Sequence, residues 1–422
     1  MPDPKGLPPF KQFLDAVRAA KHADFAARPQ SKVAREDAFA EMRTHILKLY
    51  EATEATHSFA DENGSIFDCV PIEQQPSLRG SREPIAKAPE LPHVEHPAGK
   101  HDERKDSPVS EQLGAHKKDH HGNVMHCPSG TIPIRRVTLE DMSRFENLRG
   151  FLSKGPGGGA EPPRISSAVH PAPPAQVATH RWAHAFQNVN NLGGHSFLNL
   201  WDPAIGANQV FSLSQHWYAG GSGTGLQTAE VGWQVYPQFY GNTRPVFFIY
   251  WTADAYNKTG CYNLSCSGFV QTNGSWAIGG AIPIPYSTTN GPQYSLEVAY
   301  YLYQGRWWLY VRGTQASNAI GYYPVSIYAN GALAGHASSI DYGGETVGTT
   351  SFPPMGSGAF ANQGWQKAAY QRQIYYFPTA GGSAWANLTA SQSWPKCYTA
   401  ELDNYASPWN VALWFGGPGG NC

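Results

Sequence analysis

The chain has 422 residues, 32 acidic and 31 basic side chains, and a formal net charge of -1. Its length allows two or three domains with a sizeable core. The near-neutral charge gives no reason to expect nucleic acid or a membrane surface as a partner, because both require clustered basic residues. No apolar run approaches the roughly 20 residues that cross a bilayer, and the N-terminus lacks the apolar region of a signal peptide.

Charged side chains divide the chain into two unlike parts. Residues 181–422 hold only eight acids and eight bases, whereas the first 180 residues hold 24 acids, 23 bases and 12 of the 16 histidines. Acid–base chemistry in the second part therefore has few carboxylates to draw on. The candidates are Asp202, Glu230, Asp254, Glu297, Asp341, Glu345, Glu401 and Asp403.

Residues 1–57 are predicted to form a helical N-terminal extension. Apolar side chains recur every three or four residues between positions 9 and 53, with charges between them, and Pro29 separates two helices. Helices this short cannot bury their apolar faces alone. We therefore expect them to pack on another part of the chain.

Residues 58–149 are predicted to form a smaller α+β unit. Within it, CPSGTIPIRRVTLEDM at 127–142 indicates a turn, a strand and the start of a helix, with Thr138 and Asp141 placed as a capping box. Residues 80–125 are polar and rich in His, Lys, Asp and Pro, which is typical of a linker with little core.

The histidine-rich run holds His116, His120, His121 and His126, followed by Cys127. Imidazole and thiolate are metal ligands, but this spacing matches no closed four-ligand pattern. We expect a solvated linker and no metal or other cofactor. A pH sensor is the alternative, because histidines become charged as a compartment acidifies.

Residues 150–178 are rich in Gly and Pro without periodicity, which is typical of an exposed tether that proteases can cut. From 179 to 422, aromatic and β-branched runs such as NQVFSLSQHWYA, WAIGGAIPI and QRQIYYFP alternate with Gly, Asn, Pro and Ser clusters. This pattern predicts an antiparallel β-sandwich of the jelly-roll or concanavalin-like kind. The chain as a whole is expected to be mainly β.

Two glutamates are the candidates for chemistry. The run LQTAEVGWQVYP predicts a strand on which Glu230 and Gln234 share one face and Trp233 points the other way. In IDYGGETVG, Glu345 follows two glycines, where the backbone can approach a ligand closely. Two acids in one groove hold their pKa values apart, so that one is protonated and one ionised, as hydrolysis at low pH requires.

Other interpretations of these acids stay open. The same pair serves a glycoside hydrolase as well as an acid protease, and a carbohydrate-binding sandwich would also be aromatic and weakly charged. A structural role, in which Glu230 and Glu345 only bond to turns, is equally compatible with the sequence. Asp341 lies near Glu345 in the chain and is a candidate to support it.

Six cysteines and four glycosylation sequons indicate an oxidising compartment and secretion. Cys69 and Cys127 are the cysteines of the first part and are expected to pair. The sequons begin at Asn257, Asn263, Asn273 and Asn387.

The second part resembles the neprosin family of secreted glutamic peptidases, whose plant members cleave after proline. The segments that carry the resemblance are FSLSQHW, LQTAEVGWQVYP, YWTADAYNKTGCYNLSCSGFVQTN, YGGETVG and MGSGAF. In the first part, FDCVPIEQQPSL and CPSGTIPIRR resemble the activation-peptide domain that precedes the catalytic domain in this family. Residues 179–422 would then be the catalytic domain.

This resemblance implies a sandwich with a central groove, catalytic glutamates at Glu230 and Glu345, and synthesis as a zymogen. No covalent intermediate is expected, because one glutamate acts on water as a base and the other acts as an acid. Two disulfides are also implied, Cys261 with Cys266 and Cys397 with Cys422.

A proline substrate needs an apolar wall, because a pyrrolidine ring stacks well on aromatic faces. Trp233, Tyr236 and Trp251 are the candidates for that wall, and Gln234 is the candidate for orienting a carbonyl or a water. The expected partners are a proline-containing peptide or protein and the chain's own propeptide, bound as an inhibitor. Acid is expected to weaken the propeptide by charging its histidines and neutralising carboxylates, before the tether is cut.

Overall fold

The computed structural model describes residues 4–79, 84–96, 102–107, 117–155 and 178–421. As predicted, the chain is mainly β, with a large antiparallel sheet after a smaller α+β unit. Within the described ranges, no helix is long and apolar enough to cross a membrane. The helices are α1 (Phe10–Ala19), α2 (Ala23–Ala26), α3 (Glu36–Leu49), α4 (Leu139–Ser143), α5 (Leu148–Leu152) and α6 (Pro237–Tyr240). The strands are β1 (His57–Ala60), β2 (Ile66–Pro71), β3 (Thr131–Arg135), β4 (Thr179–Asn199), β5 (Gln209–Gly220), β6 (Gln227–Val235), β7 (Val246–Thr252), β8 (Val270–Gln271), β9 (Ser295–Tyr303), β10 (Arg306–Val311), β11 (Ala319–Pro324), β12 (Ala337–Gly348), β13 (Ala369–Pro378), β14 (Ala384–Trp385), β15 (Thr389–Gln392), β16 (Thr399–Asn404) and β17 (Val411–Gly416).

The α+β unit packs its helices over the three-stranded sheet β1-β2-β3. The predicted 3.6-residue periodicity is confirmed, because Met42 and Ile46 of α3 are fully buried. The predicted capping box is also confirmed. The Thr138 hydroxyl accepts the Asp141 N–H at 3.0 Å, and the Asp141 carboxylate accepts the Thr138 N–H at 3.1 Å.

Strand β4 is shared by two layers of the large sheet. Its first half pairs with β12 and its second half with β9 and β13, so the sheet doubles back on itself. The front layer runs β7-β6-β5-β12-β4, and the back layer runs from β4 through β9, β10, β11 and β8 on one side and through β13 and β17 on the other. Buried side chains join the layers: the Gln371 amide of β13 donates to the Ser214 hydroxyl of β5 at 3.1 Å, and Trp233 of β6 donates to the Asn199 carbonyl of β4 at 3.0 Å. The opposite face of the front layer is left to form a groove.

The prediction of a linker with little core is wrong for residues 84–96 and 102–107, which lie against the back layer. The Tyr310 hydroxyl donates to the Pro89 carbonyl at 2.7 Å, and the Trp409 indole donates to the Arg104 carbonyl at 2.6 Å. Leu91 is buried in an aromatic cluster of this layer. Main-chain carbonyls accept these hydrogen bonds. The polar side chains on which the linker prediction was based therefore gave no indication of the contacts.

The segment WAIGGAIPI does not form the predicted strand. It consists of turns and one isolated bridge from Ala281 to Val246. Gly279 has φ +84°, and a Cβ at Gly280 would lie 2.7 Å from the Phe67 ring of β2. The segment therefore bends around the α+β unit instead of extending.

Disulfides tie both parts of the chain. The predicted Cys69–Cys127 and Cys261–Cys266 bridges are confirmed, with Cα atoms 5.4 and 6.1 Å apart. Cys397 is also disulfide-bonded. Its predicted partner, Cys422, lies outside the described residues.

A half-buried histidine joins the α+β unit to the second part of the chain. The His45 Nε2–H of α3 donates to the Ser265 carbonyl in the Cys261–Cys266 loop at 2.8 Å, and burial lowers the pKa of His45. In contrast, His120 and His126 of the predicted pH-sensing run are exposed. His116, of the same run, lies outside the described residues.

We expect acid to weaken this contact through His45. Because burial in the folded protein lowers its pKa although the bond to Ser265 acts to raise it, its stabilising contribution is complete above the ordinary value of 6.5 and is lost as pH falls below it. His45→Gln keeps a donor that cannot become charged. The thermal midpoint of the variant should therefore fall less than that of the wild type between pH about 7 and about 5. Equal slopes for the two proteins would contradict this role, and His126→Gln is the exposed control.

Candidate active site

The two candidate glutamates lie on one face of the front layer, which we call the groove face. Paired residues of antiparallel strands point to the same side, so register places side chains in rows across β6, β5, β12 and β4. Glu230 and Glu345 are two strands and two rows apart, with Gln215 between them. The three rows are Glu230–Trp217–Asp341–Phe186, Gly232–Gln215–Gly343–His184 and Gln234–Leu213–Glu345–Trp182.

Glu230 is fully buried and accepts three hydrogen bonds from neutral donors. The Thr228 hydroxyl and the Tyr256 hydroxyl donate to Oε1 at 2.8 and 2.7 Å, and the Gln215 amide donates to Oε2 at 2.9 Å. Burial and the neighbouring Glu230 charge raise the pKa of Tyr256 well above its ordinary value, so its hydroxyl stays a donor. The carboxylate is therefore held in one orientation.

Tyr256 reaches Glu230 from a strained loop. Ala255 and Tyr256 adopt φ +56° and +64°, which side chains other than glycine rarely do. The Asp254 carboxylate holds the loop by accepting the Thr259 hydroxyl and the Thr259 and Lys258 N–H groups. Burial acts to raise the pKa of Asp254, but these bonds outweigh it and lower that pKa. Asp254 thus positions Tyr256.

Glu345 is fully buried in the middle of the sheet, between β4 and β5. The two preceding glycines, predicted to let the backbone approach a ligand, also have a packing role. A Cβ at Gly343 would lie 2.5 Å from the Ala183 carbonyl, and one at Gly344 would lie 2.5 Å from the Met355 sulfur. Close packing of strand and core therefore requires the glycines.

Lys154 from the first part of the chain lies between the two glutamates. Its Nζ is 2.5 Å from Glu230 Oε2 and 2.9 Å from Glu345 Oε2, and all three side chains are fully buried. The same Nζ lies 5.2 Å from the Trp217 ring centre. His180 Nδ1 hydrogen-bonds to the other oxygen of Glu345. Both carboxylates are therefore occupied.

The ion pairs shift the protonation of the triad. Burial acts to lower the pKa of Lys154, but the two carboxylates outweigh it and raise that pKa above its ordinary value. Burial acts to raise the pKa of Glu345, but Lys154 and His180 outweigh it and lower that pKa below 4.5. The contribution of this ion pair is therefore complete above pH 4.5 and is lost as pH falls through the lowered value.

Residues 145–155, which we call the plug, hold Lys154 in place. The fully buried Phe151 stacks on Phe239 with ring centres 4.8 Å apart. Arg149 donates to the Tyr256 carbonyl at 2.7 Å, and the Tyr250 hydroxyl donates to the Leu152 carbonyl at 3.3 Å. The start of the predicted tether is thus a docked segment, and its residues 156–177 lie outside the described ranges.

The predicted substrate-binding residues divide between two faces. Gln234 lies on the groove face and donates to the Tyr262 hydroxyl at 3.1 Å, and Tyr236 lies at the groove end beneath Phe145 of the plug. Trp233 and Trp251 are not placed to line the groove, because strand alternation turns both toward the interior. Asp341 does not support Glu345 but hydrogen-bonds to His184.

Sequence reasoning missed Lys154, Gln215, Tyr256 and His180. Gln215 and Tyr256 lie inside the motifs FSLSQHW and YWTADAYNKTG, so a search of those motifs for polar side chains could have found them. Lys154 had a weaker signal, as a basic residue beside a Gly-rich run. His180 had none, because its contact depends on the pairing of β4 with β12.

Fold and site together describe a mainly β protein with a two-layered sheet, in which a segment of the first part covers two buried glutamates. Family comparison is more specific. The Neprosin family model matches residues 208–418, half of the chain, and the Neprosin activation peptide model matches residues 58–187. The chain therefore belongs to the neprosin family and is a glutamic peptidase with an activation peptide. The plug lies within the activation-peptide match.

Solved structures of two other peptidases are similar at a low level. Scytalidoglutamic peptidase, crystallised with a transition state analog inhibitor, matches with TM-score 0.31 and 10% identity, over 56% of this chain and 98% of that chain. SCP-B, a member of the eqolisin family of peptidases in complex with the tripeptide Ala-Ile-His, matches with TM-score 0.27 and 7% identity, over 57% of this chain and 100% of that chain. No residue role is inferred from either likeness.

Proposed function

We propose that this chain is the secreted zymogen of a glutamic endopeptidase that hydrolyses peptide bonds next to proline at acidic pH, with Glu230 and Glu345 as its catalytic pair. The observation that carries the proposal is the buried triad in which Lys154 contacts both glutamates. Buried carboxylates are costly unless they are paired. Here one lysine of a removable segment pairs with both buried carboxylates. When that segment is released, both carboxylates become available for catalysis.

In the open groove the pair acts on one water molecule. The ionised glutamate accepts a proton as the water oxygen bonds to the carbonyl carbon of the scissile peptide. The C–N bond then breaks, and the protonated glutamate donates its proton to the leaving nitrogen. Two nearby carboxyls separate these roles, because ionisation of one disfavours ionisation of the other. Gln215 and Tyr256 fix the orientation of Glu230 throughout.

Latency follows from the position of the plug. Lys154 occupies the oxygens that must exchange protons with water, and Arg149 and Phe151 hold the plug in the groove. As pH falls through the lowered pKa of Glu345, that carboxylate becomes protonated and its pairing with Lys154 is lost. Cleavage between residues 156 and 177 would then make release permanent.

An aromatic wall beside Glu345 supports a proline substrate. Phe211 shares the groove face with Glu345, and its ring centre is 5.4 Å from that of Tyr236. In the zymogen the wall is covered by Gly155, where a Cβ would lie 3.0 Å from the Phe211 ring. A pyrrolidine ring is apolar and compact, and it packs well on such faces.

The proposal is tested with the full-length protein at pH about 3 and about 7. Two peptides are added that differ only in one proline replaced by alanine, and products are followed by gel and mass spectrometry. At the lower pH we expect the protein to lose about 170 residues from its N-terminus and to cut only the proline peptide, beside proline. If both peptides are cut alike, the proposed specificity for proline is wrong. Intact peptides with release of sugar from a polysaccharide would favour the glycosidase alternative.

Secretion predicts N-glycans at exposed sequons. Asn257 and Asn387 are exposed, whereas Asn263 is 4% exposed, accepts the Ile249 N–H at 3.2 Å and donates to the Tyr240 hydroxyl at 3.2 Å. Glycopeptide mass spectrometry of protein secreted from a eukaryotic host should find glycan at Asn257 and Asn387 and none at Asn263. A glycan on the Asn263 side chain would displace its hydrogen bonds to Ile249 and Tyr240. A fully glycosylated Asn263 in folded protein would contradict the structure.

A further inference from the structure

The groove floor holds a second polar pair that the proposed mechanism does not use. His184 Nδ1 lies 2.7 Å from Asp341 Oδ1, and both side chains are fully buried. Register places Asp341 in the row of Glu230 and His184 in the next row. Asp341 precedes Glu345 by four residues on β12, which is about 13 Å along a strand. Register therefore places Asp341 on the groove face level with Glu230, two strands away across Trp217, and four residues along β12 from Glu345.

Three polar atoms at this place have no hydrogen-bond partner within the described part of the chain. They are His184 Nε2, Asp341 Oδ2 and Trp217 Nε1. Trp217 is the register partner of Asp341 on β5, so the two side chains stand side by side on the groove face. Buried polar atoms are nearly always paired in folded proteins. Such a concentration on one face points to a ligand.

A histidine–carboxylate pair in the back layer shows what a structural pair looks like in this molecule. His195 uses both ring nitrogens, Nε2 with Glu297 Oε1 at 2.9 Å and Nδ1 with the Gln373 carbonyl at 3.1 Å. His184 uses one, and its Asp341 partner keeps an oxygen unpaired. The groove pair therefore has bonding capacity that the back-layer histidine lacks.

The chemistry of these atoms fits the main chain of a peptide. The Trp217 indole N–H is a donor and the Asp341 oxygen an acceptor, which match the carbonyl and N–H of a peptide unit. We propose that Trp217 and Asp341 form a subsite that binds the backbone of an extended substrate, with His184 as the positioning residue that orients Asp341. At about 3.3 Å per residue, the subsite lies two to four residues from the scissile bond. This inference rests on the proposed function.

The test uses the activated enzyme and single-proline peptides that are extended one residue at a time on either side. In the longest peptide, each backbone N–H is replaced in turn by N-methyl. We expect kcat/KM of the wild type to rise with length, and N-methylation at one position two to four residues from the cut to lower it about tenfold. In the Asp341→Asn enzyme, N-methylation at that position should no longer lower kcat/KM. The substitution itself should change KM more than kcat.

Trp217→Phe provides a second, milder variant and should reduce the ratio of kcat/KM between the longest and shortest peptides. Glu297→Gln in the back-layer pair is the matched control and should keep both the length dependence and the N-methyl effect. A wild type with no sensitive position, or an Asp341→Asn enzyme with full sensitivity, would overturn the subsite while the peptidase stands. Absence of cleavage of every proline peptide would overturn both proposals.

Discussion

Replacing either Glu230 or Glu345 by glutamine should lower kcat of the activated enzyme by about 10³-fold, with little change in KM. General acid and general base catalysis each contribute roughly 10²–10⁴-fold. Glutamine keeps the shape of the side chain and its hydrogen-bonding oxygen, but it cannot exchange a proton with water or with the leaving amine. Substrate contacts elsewhere in the groove are unchanged, so the loss is expected in kcat.

The control for this prediction is Glu297→Gln, a change of the same kind in the back layer, where Glu297 pairs with His195. It should leave kcat and KM unchanged. The pH profiles of the weakened enzymes also assign the two roles, because loss of the base removes the acidic limb of the profile and loss of the acid removes the basic limb. A variant with more than a tenth of wild-type kcat would remove that glutamate from the mechanism.

Much of the site could be predicted from local sequence pattern. The alternation of LQTAEVGWQVYP correctly placed Glu230 on the face opposite Trp233, because the two-residue repeat of a strand is a local property. The scarcity of acids in the second part then left few alternatives to Glu345. The Thr138 cap was predictable for the same reason, since it depends on residues three apart.

The remaining features depend on contacts that local pattern does not encode. Lys154 is 76 residues from Glu230 and 191 from Glu345, and its only local signal is a basic charge beside a Gly-rich run. The role of Gln215 requires the register of β5 against both β6 and β12. Trp251 was misplaced because aromatic residues fill both the groove and the interior of this chain.

We expect acid to weaken the binding of the activation peptide at two places, His45 and the Lys154 triad, and at different pH. His45 responds as pH falls below 6.5, because a charge must then be buried. The Lys154 triad responds only below the ordinary pKa of Glu345, because the ion pairs lower that pKa. We therefore expect the His45 contact to weaken first as pH falls, while the plug keeps the glutamates covered until the pH is lower.

Replacing Lys154 by methionine should move the pH at which the zymogen processes itself upward by at least about one unit. Methionine fills a similar volume without charge, so the groove would bury two carboxylates with no cation between them. Breaking a buried ion pair in this way costs roughly 3–5 kcal/mol. Glu345 would also lose the largest influence that lowers its pKa, and it would become protonated at a higher pH. The rate of N-terminal shortening, followed by gel between pH about 3 and about 7, measures the shift.

Lys117→Met is the matched control, because Lys117 also pairs with a glutamate, Glu62, but both side chains are largely exposed. Exposed pairs contribute at most about 1 kcal/mol, so this variant should process at the wild-type pH. Lys154→Arg keeps the charge in a larger group and should shift the midpoint less than methionine does. If Lys154→Met and Lys117→Met process at the same pH, the triad does not hold the enzyme latent, and the packing of Phe151 and Arg149 would have to account for it. The combination Lys154→Met with Glu230→Gln should process about 10³-fold more slowly than Lys154→Met at every pH, since release of the plug without an intact catalytic pair leaves little activity to cut the chain.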